Sequence, residues 1–393
     1  MQNSLLERAG SCVTTAARNN PVAKRALVLL TDAYGGHGGI AKFNRDLLSV
    51  LGQHPDYKEI IALPRNIESS SSDIIPSTVY FDSSSARHKL AYAAALARTL
   101  LRNRSFDLIL CGHLHLLPLA WLASQISRAP LMQICHGIEA WSPTSRKLVD
   151  SLTNKIDYLV CVSSRTKDRF QAWTSTYPVR AHILPNTVDM NRFRPMEKNQ
   201  RLITQYRLNG KIVLLTLGRL ERSKGVDEIL AVMPDLVRDM PNIVYMVVGG
   251  GSDLVRLRAK AHALGLTEKV IFTDRIKEED KVDYYNLADS FVMPGRGEGF
   301  GIVYLEAMAC GVPVLASIAD GSQEAVLNGR LGVLVDPDDL SSVKQGIHEK
   351  LRRGKGIPQG LDYFSMTQFR ERLFKILNAL SANSSLRPMR PWL

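Results

Sequence analysis

Glu298 and Glu306 lie eight residues apart in the run GRGEGFGIVYLEAMACGVPV, residues 295–314. The glycines predict a tight loop after an apolar strand over 290–292. Gly299, Phe300 and Gly301 then lead into a helix over 302–310. The unpaired amides of such a helix start, together with the positive end of its dipole, make a site for an anion. Glu306 stands about one turn into that helix. A carboxylate there can accept hydrogen bonds from a vicinal diol such as ribose. A second turn, GRLERSKG at 218–225, follows another strand directly and opens another helix. Gly218 permits the tight turn, Arg219 supplies a planar fork for phosphate oxygens, and Lys224 a compact point charge. Two acids at this spacing occur often by chance. Two acids, a glycine loop and two cations crowded at one sheet edge are a different matter.

The elements that must hold these groups read as two α/β domains in series. The first strong strand, 25–31, ends in the glycine-rich AYGGHGG and is followed by a helix with Ile40, Phe43, Leu47, Leu48 and Leu51 at helical spacing. The Ser- and Pro-rich stretch 64–85 reads as a loop around a short strand at 78–81. Strands at 108–111, 131–135, 158–162 and 182–184 alternate with helices at 89–103, 116–127, 145–154 and 164–173. Continuous apolar strands in this rhythm mean a parallel sheet covered on both faces. The polar, proline-containing segment 185–200 breaks the rhythm and reads as a linker. Strands then recur at 211–217, 243–248, 270–273, 290–292, 313–316 and 332–335. The expected division is 1–190 for the first domain, 191–365 for the second, and 366–393 for a helix packing back toward the first. Ligands of such folds bind beyond the carboxyl ends of the strands, and two facing domains place them in the cleft.

The pair Glu298 and Glu306, the turn GRLERSKG, VVGGGSDLVRL at 247–257, PNTVDMNRF in the linker and CGVPVLASIADGSQEAV at 310–326 occur in an order and spacing that resemble the retaining glycosyltransferases of family 4. The resemblance covers roughly residues 28–380. It implies the GT-B fold, with two Rossmann-like domains facing across a cleft, and a UDP- or GDP-linked sugar as donor. On this resemblance Arg219, Lys224 and Gly218 serve the donor diphosphate, and Glu306 the nucleoside ribose. Glu298 stands near the transferred sugar, and Phe300 and Gly301 offer amides to sugar or phosphate. Ile302 and Val303 line the nucleotide pocket, Arg275 and Ile276 lie beside the base, and Gly250 also belongs to the donor site. The first glycine loop contributes Gly35, Gly36, Gly38 and Gly39 near the diphosphate. His136, in CHGIEAW after a strand, borders the donor sugar, where it could bond a hydroxyl or steady developing positive charge through its carbonyl. Glu139 is a weaker candidate. His113 and His115 end another strand; they read first as structural and second as contacts to the acceptor.

Composition narrows the classes. No apolar run reaches the roughly 18 residues that span a bilayer. The first twenty residues lack the apolar core of a secretory signal and read as a loosely docked extension. Five cysteines, Cys12, Cys111, Cys135, Cys161 and Cys310, show no metal-ligand spacing; three lie in apolar strand-like runs, as reduced core thiols of a cytoplasmic protein do. The net charge of +12 is uneven: residues 1–195 carry 23 Lys/Arg against 14 Asp/Glu, the remainder 27 against 24. A basic first half suits an anionic partner, and a lipid-linked or glycan acceptor at an anionic inner membrane face is the expected one. Few aromatics interleave with the charges, so nucleic acid is not expected. No D-x-D metal motif stands among apolar strands, and Asp336–Asp339 reads as a turn and N-cap; neither a metal nor a cofactor is expected. The rivals are a GT-B epimerase or glucan synthase, and a nicotinamide oxidoreductase. The last lacks the glycine fingerprint of a dinucleotide site.

Overall fold

A computed structural model describes residues 23–68, 74–174 and 180–383. The expected N-terminal extension and Cys12 lie outside them. Seven strands form the first sheet: β1 Lys24–Leu30, β2 Tyr57–Pro64, β3 Val79–Phe81, β4 Leu108–Cys111, β5 Leu131–Cys135, β6 Tyr158–Cys161 and β7 Arg180–Ile183. Their order is β3-β2-β1-β4-β5-β6-β7, parallel throughout. The second sheet comprises β8 Ile212–Leu217, β9 Ile243–Val248, β10 Val270–Thr273, β11 Ser290–Val292, β12 Val314–Ser317 and β13 Val333–Val335. It too is parallel, in the order β10-β9-β8-β11-β12-β13.

These strands form because their apolar runs are long enough to be covered on both faces. Residues 26–30 of β1 and all of β9 are buried, and alternate side chains serve the helices on opposite sides of the sheet. Patterning does not mark β2. Its buried run, residues 60–64, ends in a proline, and Lys58 and Glu59 at its start are exposed. Cys111, Cys135, Cys161 and Cys310 are free and buried.

In each sheet the strand order turns back at the first strand. That switch lies between β1 and β4 in one domain and between β8 and β11 in the other. The loops leaving these strands and their neighbours diverge there and leave a crevice. The glycine loop after β1, the His136 loop after β5, the 218–225 turn after β8 and the 294–301 loop after β11 all issue from this carboxyl edge.

The chain crosses between domains twice. Residues 184–199 run without helix or strand, and Asn286 pins them to the second domain: its Nδ2 donates to the Arg194 carbonyl at 3.1 Å and its Oδ1 accepts from the Met196 amide at 2.8 Å. The chain then returns through 354–365 to the helix Met366–Asn383, which lies on the first domain. Phe369 meets Phe43 edge to face, ring centres 5.6 Å apart, and His54 Nε2 bonds Asn378 Oδ1 at 3.2 Å. The two crossings touch where the Val188 amide donates to the Phe364 carbonyl at 3.0 Å.

Candidate active site

Between the domains lies a cavity of about 510 Å³ lined from both sides. Backbone proximity defines it. A Cβ on Gly299 would run into the carbonyl oxygen of His136 and stand 2.6 Å from Cα of Gly137. Only glycine lets the 294–301 loop of the second domain pass so close to the first. The same loop ends in Gly301, whose φ of 90° puts it in the left-handed region and starts the helix Ile302–Ala309. No side chain caps that helix start. Its first amides are therefore available to an anion.

Lys224 and Glu298 form an ion pair at the cavity wall, with side chains only 17% and 14% exposed. Little water screens them, so each strongly orients the other. Arg219 sits at the rim, its side chain 73% exposed and 3.4 Å from Glu221. Glu306 is 3% exposed. Its Oε2 accepts from the Tyr285 hydroxyl at 2.8 Å and lies 3.8 Å from Lys281 Nζ. Lys281 also pairs with Glu278 at 2.8 Å. Burial works against its charged form, but Glu306 and Glu278 outweigh burial and its pKa is raised. This part of the wall thus holds a carboxylate fixed by a cation and a phenol, with acceptor capacity to spare for the hydroxyls of a ligand.

On the opposite wall Arg45 stitches the glycine loop, donating to the Ala33 and Gly36 carbonyls at 2.8 and 3.1 Å. Gly39 faces Ile302 across the gap, where a Cβ would lie 3.5 Å from its Cδ1. His136 Nε2 stands 2.9 Å from the Gly112 carbonyl. A carbonyl only accepts, so Nε2 carries a proton and the ring is held in one orientation. Glu139 Oε1 accepts from the His136 and Gly137 amides, which commits it to shaping this turn.

Most of the expected residues meet in this cavity: Gly36, Gly38, Gly39, His136, Glu139, Gly218, Arg219, Lys224, residues 298–303 and Glu306. Others fall elsewhere. Gly250, Arg275 and Ile276 do not line it, because the loop after β10 turns Arg275 to solvent and packs Ile276 on the core. Glu278 and Lys281, slightly further along, line the cavity. His113 and His115 are outside it as well: His113 Nδ1 accepts from the His115 amide at 3.2 Å and so caps a short 3-10 turn. Burial pushes the His113 pKa down to about 4. Gly35 does not line the cavity either. Asp339 caps the helix Leu340–Arg353, as its turn predicts. Among the described residues no group of three or more His, Cys, Asp and Glu side chains is placed to hold a metal ion.

Sequence reasoning passed over Lys281, Tyr285 and Asp320. The first two share a face of the helix Lys281–Leu287 at i and i+4, a spacing that marks them as partners of one group. Asp320 follows β12 at the same sheet edge and is fully buried. Its Oδ2 accepts from the Glu298 amide at 2.9 Å, and its Oδ1 from the Ser322 amide and hydroxyl at 3.0 and 2.6 Å. It is the bracket that holds the Glu298 loop. Burial raises its pKa, with a smaller push from Glu298, to about 6, although the bonds from Ser322 and the Glu298 amide pull it down.

A carboxyl whose folded pKa exceeds its unfolded value favours folding below the unfolded pKa, and that contribution is lost as pH rises through the folded one. The protein is therefore expected to lose roughly 2–3 kcal/mol from Asp320 between about pH 4 and pH 6. Asp320→Asn should abolish this dependence and, by turning an amide NH2 toward the Glu298 N–H, cost about 1–3 kcal/mol at low pH. Urea unfolding of both proteins over this range checks it; parallel curves would remove the bracket from this role.

Residues 37–192 match the profile described as Glycosyltransferase Family 4, and residues 199–355 the one described as Glycosyl transferases group 1. A GDP-mannose-dependent alpha-(1-6)-phosphatidylinositol monomannoside mannosyltransferase of Mycolicibacterium smegmatis is 37% identical over 248 residues, 60% of this chain and 65% of that protein. This match thus spans just under two thirds of that relative. A GDP-mannose-dependent monoacylated alpha-(1-6)-phosphatidylinositol monomannoside mannosyltransferase of Corynebacterium glutamicum is 29% identical over 352 residues, 84% of this chain and 89% of that one. Among solved structures, HepE of Anabaena in complex with UDP and glucose superposes with a TM-score of 0.69 at 19% identity, covering 91% of this chain and all of that one. Sucrose-phosphate synthase from Thermosynechococcus elongatus does so at 0.65 and 18% identity, covering 91% of this chain and all of that one. With two facing parallel-sheet domains and both profiles matched in succession, the chain belongs to the group 1, family 4 glycosyltransferases and has their GT-B fold.

Proposed function

We propose that this chain is a retaining hexosyltransferase that moves mannose from GDP-mannose to a hydroxyl of a phosphatidylinositol-type glycolipid. The observation that carries the reading is the shielded Lys224–Glu298 pair beside the uncapped start of the helix Ile302–Ala309, with Glu306 further along that helix. The donor and acceptor classes rest on the relatives' names. In the reaction the bond between the sugar's anomeric carbon and the diphosphate breaks. A bond from the acceptor oxygen forms on the same face of the sugar, and a leaving phosphate oxygen takes the acceptor proton. Charge separation is the barrier. Lys224, Arg219 and the helix amides stabilise the departing diphosphate, each contact being worth about 2–4 kcal/mol. Glu306 takes the ribose hydroxyls. The diphosphate draws Lys224 away from Glu298, which frees that carboxylate to face the positive charge developing on the sugar.

A lipid-borne acceptor requires a surface that meets lipid, and the helix Lys89–Arg102 offers one. Leu90 and Leu101 are 78% and 72% exposed, in line with Ala94 and Ala97. Between Asp82 and Asp107 the chain carries Arg87, Lys89, Arg98, Arg102 and Arg104 and no acid, all five cations exposed. An apolar stripe flanked by cations suits an anionic bilayer surface, each cation adding about 1 kcal/mol. No helix among the described residues is long and apolar enough to cross a membrane.

Three outcomes are expected. In a melting-temperature panel GDP stabilises the protein, by about 2.7 kcal/mol at 100-fold its dissociation constant, and UDP much less; no shift with either nucleotide would end the donor-site reading. Glu306→Ala loses mainly donor affinity and Glu298→Ala mainly turnover, seen as KM and kcat effects in a mannosyl-transfer assay; the reverse pattern would exchange their roles. The protein co-sediments with phosphatidylinositol-containing vesicles at low salt, and replacing Arg98 and Arg102 by Glu abolishes it. Failure to pellet with anionic vesicles removes the lipid surface.

A further inference from the structure

Glu324 lies in the single turn Ser322–Ala325 that follows β12, in the second domain. Its carboxylate crosses the cleft. Oε2 accepts from the Ser164 amide at 2.7 Å and Oε1 from the Arg165 amide at 3.0 Å. These are the opening amides of the helix Ser164–Trp173 in the first domain, whose N-cap Ser163 serves the Thr166 amide. A carboxylate here satisfies two amides that the helix leaves unpaired and meets the positive end of its dipole. Helix starts are ordinarily served by neighbours in sequence; this one is served from the other domain, 160 residues on.

The contact is continuous with the cavity wall. The Ser163 hydroxyl donates to the Gly299 carbonyl at 2.8 Å, and the Gly321 amide donates to the Glu298 carbonyl at 2.8 Å. Gly299 in turn presses on His136 and Gly137. The Glu324 turn, the Glu298 loop and the start of the helix Ser164–Trp173 are therefore one joint. Glu324 does not line the cavity and touches no reacting atom.

We propose that Glu324 is a positioning residue for domain closure: its carboxylate caps the helix Ser164–Trp173 across the cleft and so holds Glu298 and Lys224 in one cavity with His136. The two hydrogen bonds exist only when the domains are together. In an opened molecule the carboxylate and both amides return to water, so the whole interaction biases the closed population. Closure excludes water and completes the site, so turnover depends on this population more than donor affinity does.

The kinetic part rests on the transferase reading; the structural part does not. The test compares the full chain with Glu324→Gln and Glu324→Ala. Small-angle scattering without ligand should show a larger radius of gyration for the alanine variant, with the glutamine variant between. Melting temperatures should stay close to that of the parent. In the mannosyl-transfer assay kcat should fall about tenfold in Glu324→Ala, with less than a threefold change in donor KM. Scattering reads closure even if GDP-mannose proves not to be the donor. An unchanged radius of gyration in Glu324→Ala overturns the proposal. So does a lowered melting temperature with kcat intact, the signature of an ordinary structural contact. Should the alanine variant fail to fold, Glu324→Gln carries the same comparison.

Discussion

The close passage of two backbones, Gly299 against His136 and Gly137, is the constraint on which the cleft depends. Side-chain contacts between domains tolerate adjustment, because rotamers can change. Main chain against main chain cannot adjust without moving a domain. His136 immediately precedes one partner in this passage and Glu298 the other. The separation of these two cavity-lining side chains is thus set by bonded geometry on each side and the non-bonded contact between the backbones. Group-transfer rates fall about a hundredfold for an error near 1 Å, so a rigid reference of this kind matters more than its small area would imply.

Electrostatics are layered around that passage. Lys224 and Glu298 sit at the wall with little exposure, where charge interacts strongly, whereas Arg219 stands in water at the rim, where it can meet an arriving anion first. Behind Glu298 lies Asp320, fully buried and bound by three donors. Lys281 stands beside Glu306 at the wall, 3.8 Å away. Each of the two cavity carboxylates therefore has partners that fix it: a cation for the side chain and a buried acid for the backbone at Glu298, a cation and a phenol for Glu306.

How much of this could be read from the chain depends on the distance over which each fact is written. Strands with continuous apolar runs, such as β4 and β9, announce themselves locally. β2 does not, since charges open its run and a proline closes it, and its neighbours β1 and β3 make it a strand. Arg219, Lys224, Glu298 and Glu306 are legible because each sits on a glycine turn or a helix start with a chemistry of its own. The pairing of Lys224 with Glu298 spans 74 residues and is invisible in either segment. Asp320 is illegible for the same reason: its turn looks ordinary, and its importance comes from the amide it meets 22 residues earlier. Arg275 and Ile276 lie in the expected loop, but packing decides the direction of that loop, and it is Glu278 and Lys281 that line the cavity.

The double crossing of the chain carries a mechanical meaning. A single connector would allow one domain to swivel and twist about a point. Here residues 184–199 and 354–365 run side by side and are tied at Val188 and Phe364, so the connection is a strap with width. A strap bends readily about the axis across it and resists torsion and shear. Two tied crossings thus favour a door-like swing over a twist, a motion that returns the Glu298 loop to the same place on the opposite frame.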